Sequence, residues 1–196
     1  MRESKITRNT GETNISLSLK ILDKSTSGKF LGTTGVGFMD HMLTAFCVHG
    51  HFYIELDMTG DLIVDDHHSV EDLGIVLGTA FSSAMGDKST LTRYGASYVP
   101  MDEALSRCVL DISGRPYLVY NVHYEFQFVG ELETAMVKEF LYAFAMRSGI
   151  TLHIENLYGD NDHHKVESIF KAFARALSDA CELRCGDILS TKGKLD

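Results

Sequence analysis

The same short motif occurs twice in this chain, about half a chain length apart. DHHSVE at residues 66–71 and DHHKVE at residues 162–167 both contain HHxxE, beginning at His67 and at His163. The second copy begins 96 residues after the first in a chain of 196 residues. Self-similarity at a fixed separation is typical of a duplicated structural unit. The chain is therefore predicted to fold as two related halves.

The hydrophobic pattern around each motif has the same order: strands, a helix, a strand, and a longer helix that opens with HHxxE. Alternating apolar residues predict strands, and 3.6-residue periodicity predicts helices. The predicted strands lie at 14–21, 52–60 and 62–64, within 96–126, and at 150–156. The predicted helices span 38–49, 67–85, 131–148 and 163–183, and residues 24–37 are predicted to form a loop.

These elements predict an α+β fold in one domain covering residues 1–196. Its halves, roughly 1–95 and 96–196, are expected to be mainly antiparallel sheet with helices packed on one face.

The overall charge and hydropathy of the chain exclude several classes of protein. A net charge of −9 argues against nucleic-acid binding, because phosphate backbones select basic surfaces. A small anionic substrate is still compatible with it, since a local cationic pocket can lie on an acidic protein. No apolar run approaches the roughly 20 residues of a membrane span, and the N-terminal stretch has no apolar signal core. A cytoplasmic protein without membrane partners is expected.

The HHxxE spacing suits metal binding. On a helix, Glu71 lies four residues from His67 and three from His68, so either pair can share a face. The two adjacent rings diverge by about 100°, since a helix has 3.6 residues per turn, and they would serve two different ions. Asp66 and Asp162, just before the histidines, suit helix N-caps.

The duplication predicts further ligands in the preceding helices. His41 lies 26 residues before His67, and Glu139 lies 24 residues before His163. Imidazole and carboxylate donors without thiolate suit Mn²⁺ or Fe²⁺, whereas zinc would bind but prefers four-coordinate sites. Four donors for each of two ions leave positions open for substrate, which favours catalysis. The predicted metal ligands are His41, His67, His68, Glu71, Glu139, His163, His164 and Glu167.

Several stretches together resemble a known enzyme family. They are RNTGET (8–13), GFMDHML (37–43), HGHF (49–52), DDHHSVED (65–72), SGRPY (113–117), TLHI (151–154), NDHHKVESIFKAFARAL (161–177) and STKG (190–193). In this order, over nearly the full chain, they resemble the monofunctional imidazoleglycerol-phosphate dehydratases of histidine biosynthesis.

The resemblance implies an activity, a cofactor and an assembly. The implied reaction removes water from imidazoleglycerol phosphate to give imidazole acetol phosphate, with two Mn²⁺ ions per active site. Members form homo-oligomeric shells of 24 subunits built from trimers, with active sites at subunit interfaces. Glu139 stands where some members carry histidine, and it keeps an anionic donor there.

The resemblance also implies substrate contacts. The implied substrate-binding residues are Glu12, His41, His49, Arg93, Arg115, Lys171, Ser190, Thr191 and Lys192. The two arginines can hold a phosphate through paired hydrogen bonds. Lys171 lies one turn after Glu167 on the same helix face.

Dehydration requires a group that transfers a proton near the reacting carbons. Three carboxylates are candidates for this catalytic role, and the sequence does not rank them: Glu12, Glu167 and Asp102. A helical turn capped by Asp102 is an equally good interpretation of that residue.

Two other functions are compatible with a paired histidine–carboxylate motif. A binuclear metallophosphatase would use the ions to generate hydroxide and would release phosphate without forming a carbonyl. A non-catalytic metal-storage shell would bind ions without turnover. Neither alternative explains the substrate-binding set.

Overall fold

A computed structural model describes residues 2–185 and 188–190. The two halves have the same order of elements. The first half contains β1 (Glu3–Asn9), β2 (Thr13–Ile21), β3 (Lys29–Gly32), α1 (Gly37–Gly50), β4 (Phe52–Gly60) and α2 (His67–Met85). The second half contains β5 (Tyr94–Met101), β6 (Ala104–Asp111), β7 (Tyr117–Asn121), a small hairpin of β8 (Phe128–Val129) and β9 (Leu132–Glu133), then α3 (Thr134–Ser148), β10 (Thr151–Tyr158) and α4 (Asp162–Ala180).

Each half builds one four-stranded sheet of the same topology. The strand orders are β1-β2-β4-β3 and β5-β6-β10-β7. In the first sheet β2 is antiparallel to both β1 and β4, and in the second β6 is antiparallel to both β5 and β10. The last pair of each sheet, β4 with β3 and β10 with β7, is parallel. The predicted α+β fold of two duplicated, mainly antiparallel halves is confirmed.

Apolar and polar residues alternate along the strands, so each sheet has one apolar face, and this face packs against helices. In β2, Ile15, Leu17 and Leu19 are buried, while the residues between them face outward. Helix α2 covers β1 and β2, and α4 covers β5 and β6. The helices of the two halves then contact each other, α1 with α4 and α2 with α3, so they are buried on two sides.

Aromatic side chains join the two halves into a single core. Phe46 of α1 packs on Phe173 of α4 with ring centroids 5.3 Å apart, and Phe81 of α2 packs on Phe144 of α3 at 5.4 Å. Such pairs contribute beyond the area they bury, by about 0.5–1.5 kcal/mol each.

The α2–α3 contact depends on two glycines one turn apart. A Cβ atom added to Gly74 would lie 2.6 Å from the carbonyl oxygen of Phe140, and one added to Gly78 would lie 2.6 Å from that of Phe144. The missing side chains let the backbones approach. Gly74 meets Phe140 and Gly78 meets Phe144, so the contacting residue numbers increase in the same direction and α2 and α3 run parallel. Helices α1 and α4 are also parallel, since His41 meets Glu167 and Gly50 meets Ala174.

Several local predictions were wrong. Residues 24–37, predicted as a loop, contain β3, and residues 62–64, predicted as a strand, form a turn in which the Val64 N–H donates to the Asp61 carbonyl. Strand β1 was not predicted. The short hairpin of β8 and β9 was not predicted either. Strands β1 and β3 lie at sheet edges, where most side chains are at least partly exposed and apolar alternation is weak. Helix α3 begins three residues later than predicted, and α4 ends three residues earlier, at Ala180.

The aspartates before the two motifs do not cap their helices through their side chains, as the sequence had suggested. Oδ2 of Asp66 accepts the backbone N–H of Glu133 instead. Asp162 is the first residue of α4, and the capping side chain is that of Asn161, which accepts the N–H of His163. Asp162 also accepts the backbone N–H groups of residues 125 and 126. Each aspartate therefore connects its helix to the segment before α3.

No helix in the described part of the chain is long and apolar enough to cross a membrane.

Candidate metal and substrate site

The side chains of His41, His163 and Glu167 converge where α1 packs on α4. Oε2 of Glu167 lies 3.4 Å from Nε2 of His41 and 3.2 Å from Nε2 of His163. One possible ligand atom from each residue lies within 4.8 Å of the others, and within residues 2–185 and 188–190 this is the only group of three with that property. We call it the α1–α4 cluster. Its imidazole and carboxylate atoms have the chemistry and spacing that a divalent ion requires.

Glu167 is buried at the base of the α1–α4 cluster, with 7% of its surface exposed. Burial disfavours its charged form, but the Lys171 ammonium, 2.6 Å from Oε1, and the His41 ring outweigh burial and lower the pKa of the carboxyl. Glu167 is therefore held as a carboxylate. One oxygen faces the lysine and the other faces the two imidazoles.

The first motif forms a similar but looser pair on α2. Nε2 of His67 lies 3.9 Å from Oε2 of Glu71, one turn later. Glu139, a predicted ligand, is half-buried on α3, the helix that packs against α2. It lies outside the α1–α4 cluster. His41 of α1 therefore meets the motif of the other half at His163. Glu139 lies on α3, the helix that packs against α2, which carries the other motif.

The adjacent histidines of each motif diverge, as the helix geometry requires. The ring centroids of His67 and His68 are 6.1 Å apart with planes inclined at 76°, and those of His163 and His164 are 5.9 Å apart at 79°. In each pair, the first ring faces the glutamate of its own motif. The second ring turns toward a different set of carboxylates.

His68 lies between two carboxylates of its own half. Nδ1 is 2.9 Å from Oδ2 of Asp61, and Nε2 is 3.7 Å from Oε1 of Glu12. The hydrogen bond to Asp61 raises the pKa of His68, and the charge of Glu12 adds to the effect.

His164 has a matching environment in the second half. Nδ1 is 2.7 Å from Oε2 of Glu103, and Nε2 is 3.8 Å from Oδ2 of Asp102. Oε1 of Glu103 also accepts the backbone N–H groups of Asp160 and Asn161. The Asn161 N–H and the His164 ring lower the pKa of Glu103 to about 2.

Glu12 and Asp102, two of the predicted catalytic carboxylates, lie at equivalent places. Glu12 is in the loop between β1 and β2, and Asp102 is in the two-residue turn between β5 and β6. Asp102 has φ +47°, a left-handed conformation that is uncommon outside glycine. The suggested helical cap at Asp102 is wrong, because the residue lies in a hairpin turn. The third candidate, Glu167, lies in the α1–α4 cluster.

The predicted cations lie at two separate places in the chain. Lys171 is beside Glu167, with its Nζ 3.5 Å from the sulfur of Met101. Arg93, by contrast, is buried at the opposite end of β5, where Nε and Nη2 donate to Asp111 at 2.7 and 3.1 Å and Nη1 donates to the carbonyl of Leu189. Nη2 of Arg115 is 4.0 Å from the same aspartate.

Two of the remaining predicted substrate contacts, His49 and Ser190, lie in the described part of the chain. His49 is on the last turn of α1. Burial lowers its pKa, and the positive charges of Lys171 and Arg175 lower it further, so the ring is neutral near pH 7. Ser190 follows Leu189, near Arg93. Thr191 and Lys192 lie outside the described residues.

Asp61 and Glu103 were not among the predicted site residues. Neither has a fixed spacing from an HHxxE motif that both halves share, since Asp61 follows β4 and Glu103 lies in the β5–β6 turn. Only the folded arrangement brings each of them to a histidine.

Comparison with known proteins gives one consistent result. The family model for imidazoleglycerol-phosphate dehydratase matches residues 34–177. An imidazoleglycerol-phosphate dehydratase of Clostridioides difficile is 52% identical over 195 residues, covering 100% of both chains. One of Acetivibrio thermocellus is 50% identical over 196 residues, covering 99% of both chains.

Two solved structures have the same fold over nearly the whole chain. The imidazoleglycerol-phosphate dehydratase of Staphylococcus aureus superposes with a TM-score of 0.82 at 39% identity, covering 94% of this chain and 99% of that one. The enzyme of Pyrococcus furiosus, solved in complex with (S)-C348, superposes with a TM-score of 0.83 at 34% identity, covering 97% and 100%.

The duplicated fold, its histidine–carboxylate clusters and these similarities define the class of this protein: it is a carbon–oxygen lyase of the hydro-lyase type. More particularly, the chain belongs to the imidazoleglycerol-phosphate dehydratase family.

Proposed function

We propose that this chain is a divalent-metal-dependent dehydratase that converts imidazoleglycerol phosphate into imidazole acetol phosphate and water. Two Mn²⁺ ions per active site are the proposed cofactor. The observation that carries the metal dependence is the α1–α4 cluster, in which two imidazoles and one buried carboxylate converge within 4.8 Å. A mixed nitrogen and oxygen set without thiolate suits Mn²⁺.

The proposed ligands form two sets, each supplemented by the second histidine of a motif. His41, His163 and Glu167 form one set, and His67 and Glu71 form another, with Glu139 on the neighbouring helix. The second histidines of the motifs, His68 and His164, would complete the coordination. The ions, when bound, act as Lewis acids and fix the orientation of the substrate.

The side chains of this protein have separate tasks in the proposed reaction. Lys171 keeps Glu167 ionised and lies where a substrate phosphate can be held close to the α1–α4 cluster. The reaction breaks a carbon–oxygen bond, removes a proton from the neighbouring carbon, and gives an enol that tautomerises to the ketone. Glu12 and Asp102 are exposed carboxylates beside the second histidines, so each can accept that proton.

We propose further that the active site is shared between copies of the chain. The eight-residue strand β5 separates Arg93, before it, from Asp102, after it, and such a strand spans about 26 Å. One small substrate cannot contact both ends within a single chain. A homo-oligomer, as a 24-subunit shell of trimers, would bring the arginine end of one copy to the histidine end of another.

The composition of the chain supports a cytoplasmic location and argues against nucleic-acid partners. All four cysteines are unpaired, which suits a reducing cytoplasm. The net charge of −9 disfavours nucleic acid as a partner.

A direct test is to treat the purified protein with chelator, reload it with Mn²⁺, and follow ketone formation from imidazoleglycerol phosphate. We expect ketone formation that depends on Mn²⁺ and no release of inorganic phosphate. Phosphate release without a carbonyl product would indicate a metallophosphatase, and metal binding without turnover would indicate a storage protein. Native mass spectrometry of the same sample tests the oligomer, and a monomer that turns over at full rate would contradict the shared site.

A further inference from the structure

The second histidine of each motif is held by a carboxylate at the same ring nitrogen. Nδ1 of His68 is 2.9 Å from Asp61, and Nδ1 of His164 is 2.7 Å from Glu103. Nε2 of His68 lies 3.7 Å from Glu12, and Nε2 of His164 lies 3.8 Å from Asp102. The two rings therefore have the same orientation relative to their carboxylates.

The two carboxylates come from positions that are not related by the duplication. Asp61 directly follows β4, whereas Glu103 lies in the β5–β6 turn. The residues that follow β10, the counterpart of β4, are Gly159 and Asp160, and the backbone N–H of Asp160 donates to Glu103. Descent from a common unit would place both carboxylates at matching positions. The same contact made from two different positions indicates that the contact itself is required.

A carboxylate fixes which imidazole nitrogen carries the proton. An ionised carboxylate can only accept hydrogen bonds, so a neutral ring beside it must place its proton on Nδ1. The lone pair is then on Nε2, which is the atom left free to bind a metal. Asp61 makes this contact although its other oxygen, Oδ1, is buried without a hydrogen-bond partner among the described residues, a costly arrangement for a carboxylate.

We propose that Asp61 and Glu103 are positioning residues that hold His68 and His164 in the Nδ1–H form and present Nε2 to the metal ions. The inference rests on the proposed function, since it assigns the two carboxylates a role toward the proposed ions. Partners of this kind raise the basicity of a histidine ligand, and their loss typically weakens metal binding about 10- to 100-fold.

The experiment compares Asp61→Ala, Glu103→Ala and Glu103→Gln with the unaltered protein and with Asp57→Ala. Asp57 is an exposed carboxylate on the outer face of β4, so its removal changes the charge equally without touching a histidine. Two quantities are measured: the Mn²⁺ dissociation constant, from the electron paramagnetic resonance of free Mn²⁺, and the tautomer of each ring, from solid-state ¹⁵N spectra of metal-free protein labelled at histidine. His68→Gln and His164→Gln variants assign the signals.

The Glu103→Gln variant separates positioning from a purely structural role. A glutamine Oε1 can still accept the N–H groups of Asp160 and Asn161, which keeps the loop before α4 in place. Its amide NH₂ then faces Nδ1 of His164 and donates to it, which shifts the proton to Nε2. We expect normal thermal stability, an Nε2–H signal for His164, and Mn²⁺ affinity reduced about 10- to 100-fold.

The alanine variants are expected to lose the Nδ1–H preference at His68 or at His164 and to bind Mn²⁺ as weakly, while Asp57→Ala behaves as the unaltered protein. Unchanged tautomers and affinities in the Asp61 and Glu103 variants would overturn the inference and leave the proposed function intact. Failure of the unaltered protein to bind Mn²⁺ would instead overturn the proposed function, and the metal-free spectra would still report the tautomers.

Discussion

The Nζ atom of Lys171 lies 2.6 Å from Oε1 of Glu167, one helical turn earlier on α4. The other oxygen of the same carboxylate faces the rings of His41 and His163 at 3.4 and 3.2 Å. A single buried carboxylate thus joins the cation proposed to hold the substrate phosphate to the atoms proposed to hold a metal. The two functions of the site can be separated by changing the lysine alone.

Replacing Lys171 with methionine is expected to weaken substrate binding without loss of metal. A charge-assisted hydrogen bond contributes about 1.5–3 kcal/mol, so KM for imidazoleglycerol phosphate should rise about 10- to 100-fold. Mn²⁺ binding should stay about equal, because the change removes a positive charge beside the ligands but also removes the contact that helps to keep Glu167 ionised. Steady-state kinetics and metal analysis measure both quantities. Lys138→Met, at an exposed lysine on α3, is the control, and loss of bound Mn²⁺ with unchanged KM would contradict the assigned role.

Replacing His163 with alanine is expected to remove one ion from the site. The α1–α4 cluster would lose one of its two imidazoles, so about half of the bound Mn²⁺ should be lost and kcat should fall at least about 100-fold. Inductively coupled plasma mass spectrometry of the purified variant gives the metal content. His153→Ala removes an exposed histidine from the outer face of β10 and should leave metal content and kcat unchanged. Full metal content in the His163 variant would refute the ligand assignment.

Replacing Gly74 or Gly78 with alanine is expected to destabilise the contact between the two halves. The new methyl group would meet a carbonyl oxygen of α3 at 2.6 Å, and overpacking of this kind costs about 1–3 kcal/mol. Urea unfolding monitored by circular dichroism measures the loss. Gly11→Ala is a matched control, because a Cβ atom at Gly11 would have no atom within 4 Å. Equal stability of Gly74→Ala and Gly11→Ala would show that α2 and α3 are not in close contact.

The free energy of unfolding is expected to fall above about pH 10 partly because of one tyrosine pair. The hydroxyls of Tyr120 and Tyr124 are 2.6 Å apart. Burial raises the pKa of both above the ordinary value of 10.0. The Tyr124 hydroxyl raises the pKa of Tyr120 further, and the charge of Asp162 raises that of Tyr124. Above that pH the unfolded chain loses these protons while the folded chain keeps them. Stability is therefore present below about pH 10 and decreases as the pH rises further, by up to about 1.4 kcal/mol per pH unit for each group.

The measurement is urea unfolding at several pH values between 8.5 and about 11, a range chosen around the tyrosine pKa. Tyr124→Phe removes one titrating group and should reduce the slope of stability against pH. Tyr142→Phe, at an exposed tyrosine on α3, should keep the original slope. Identical slopes in all three proteins would exclude the pair as a source of the pH dependence.

Most of the regular structure could be predicted because its signals are local. The repeated HHxxE motif identified the duplication, and apolar periodicity identified the four helices and the central strands. Strands β1 and β3 escaped because edge strands bury little, so selection for alternation is weak there. The divergence of the two rings in each motif also followed from sequence, since the angle between adjacent residues is a property of the helix itself.

The spatial partners of the site residues were decided by tertiary structure. Sequence placed His41 and Glu139 in equivalent helices, but only the parallel packing of α1 on α4 brings His41 to the motif of the other half. The carboxylates Asp61 and Glu103 reach their histidines from unrelated positions, through a loop after β4 and a tight turn after β5. Such contacts join residues distant in the chain, and no local periodicity encodes them. The amino-acid sequence by itself determined the repeated unit and its chemistry, whereas the packing of the two halves on one another determined which groups meet.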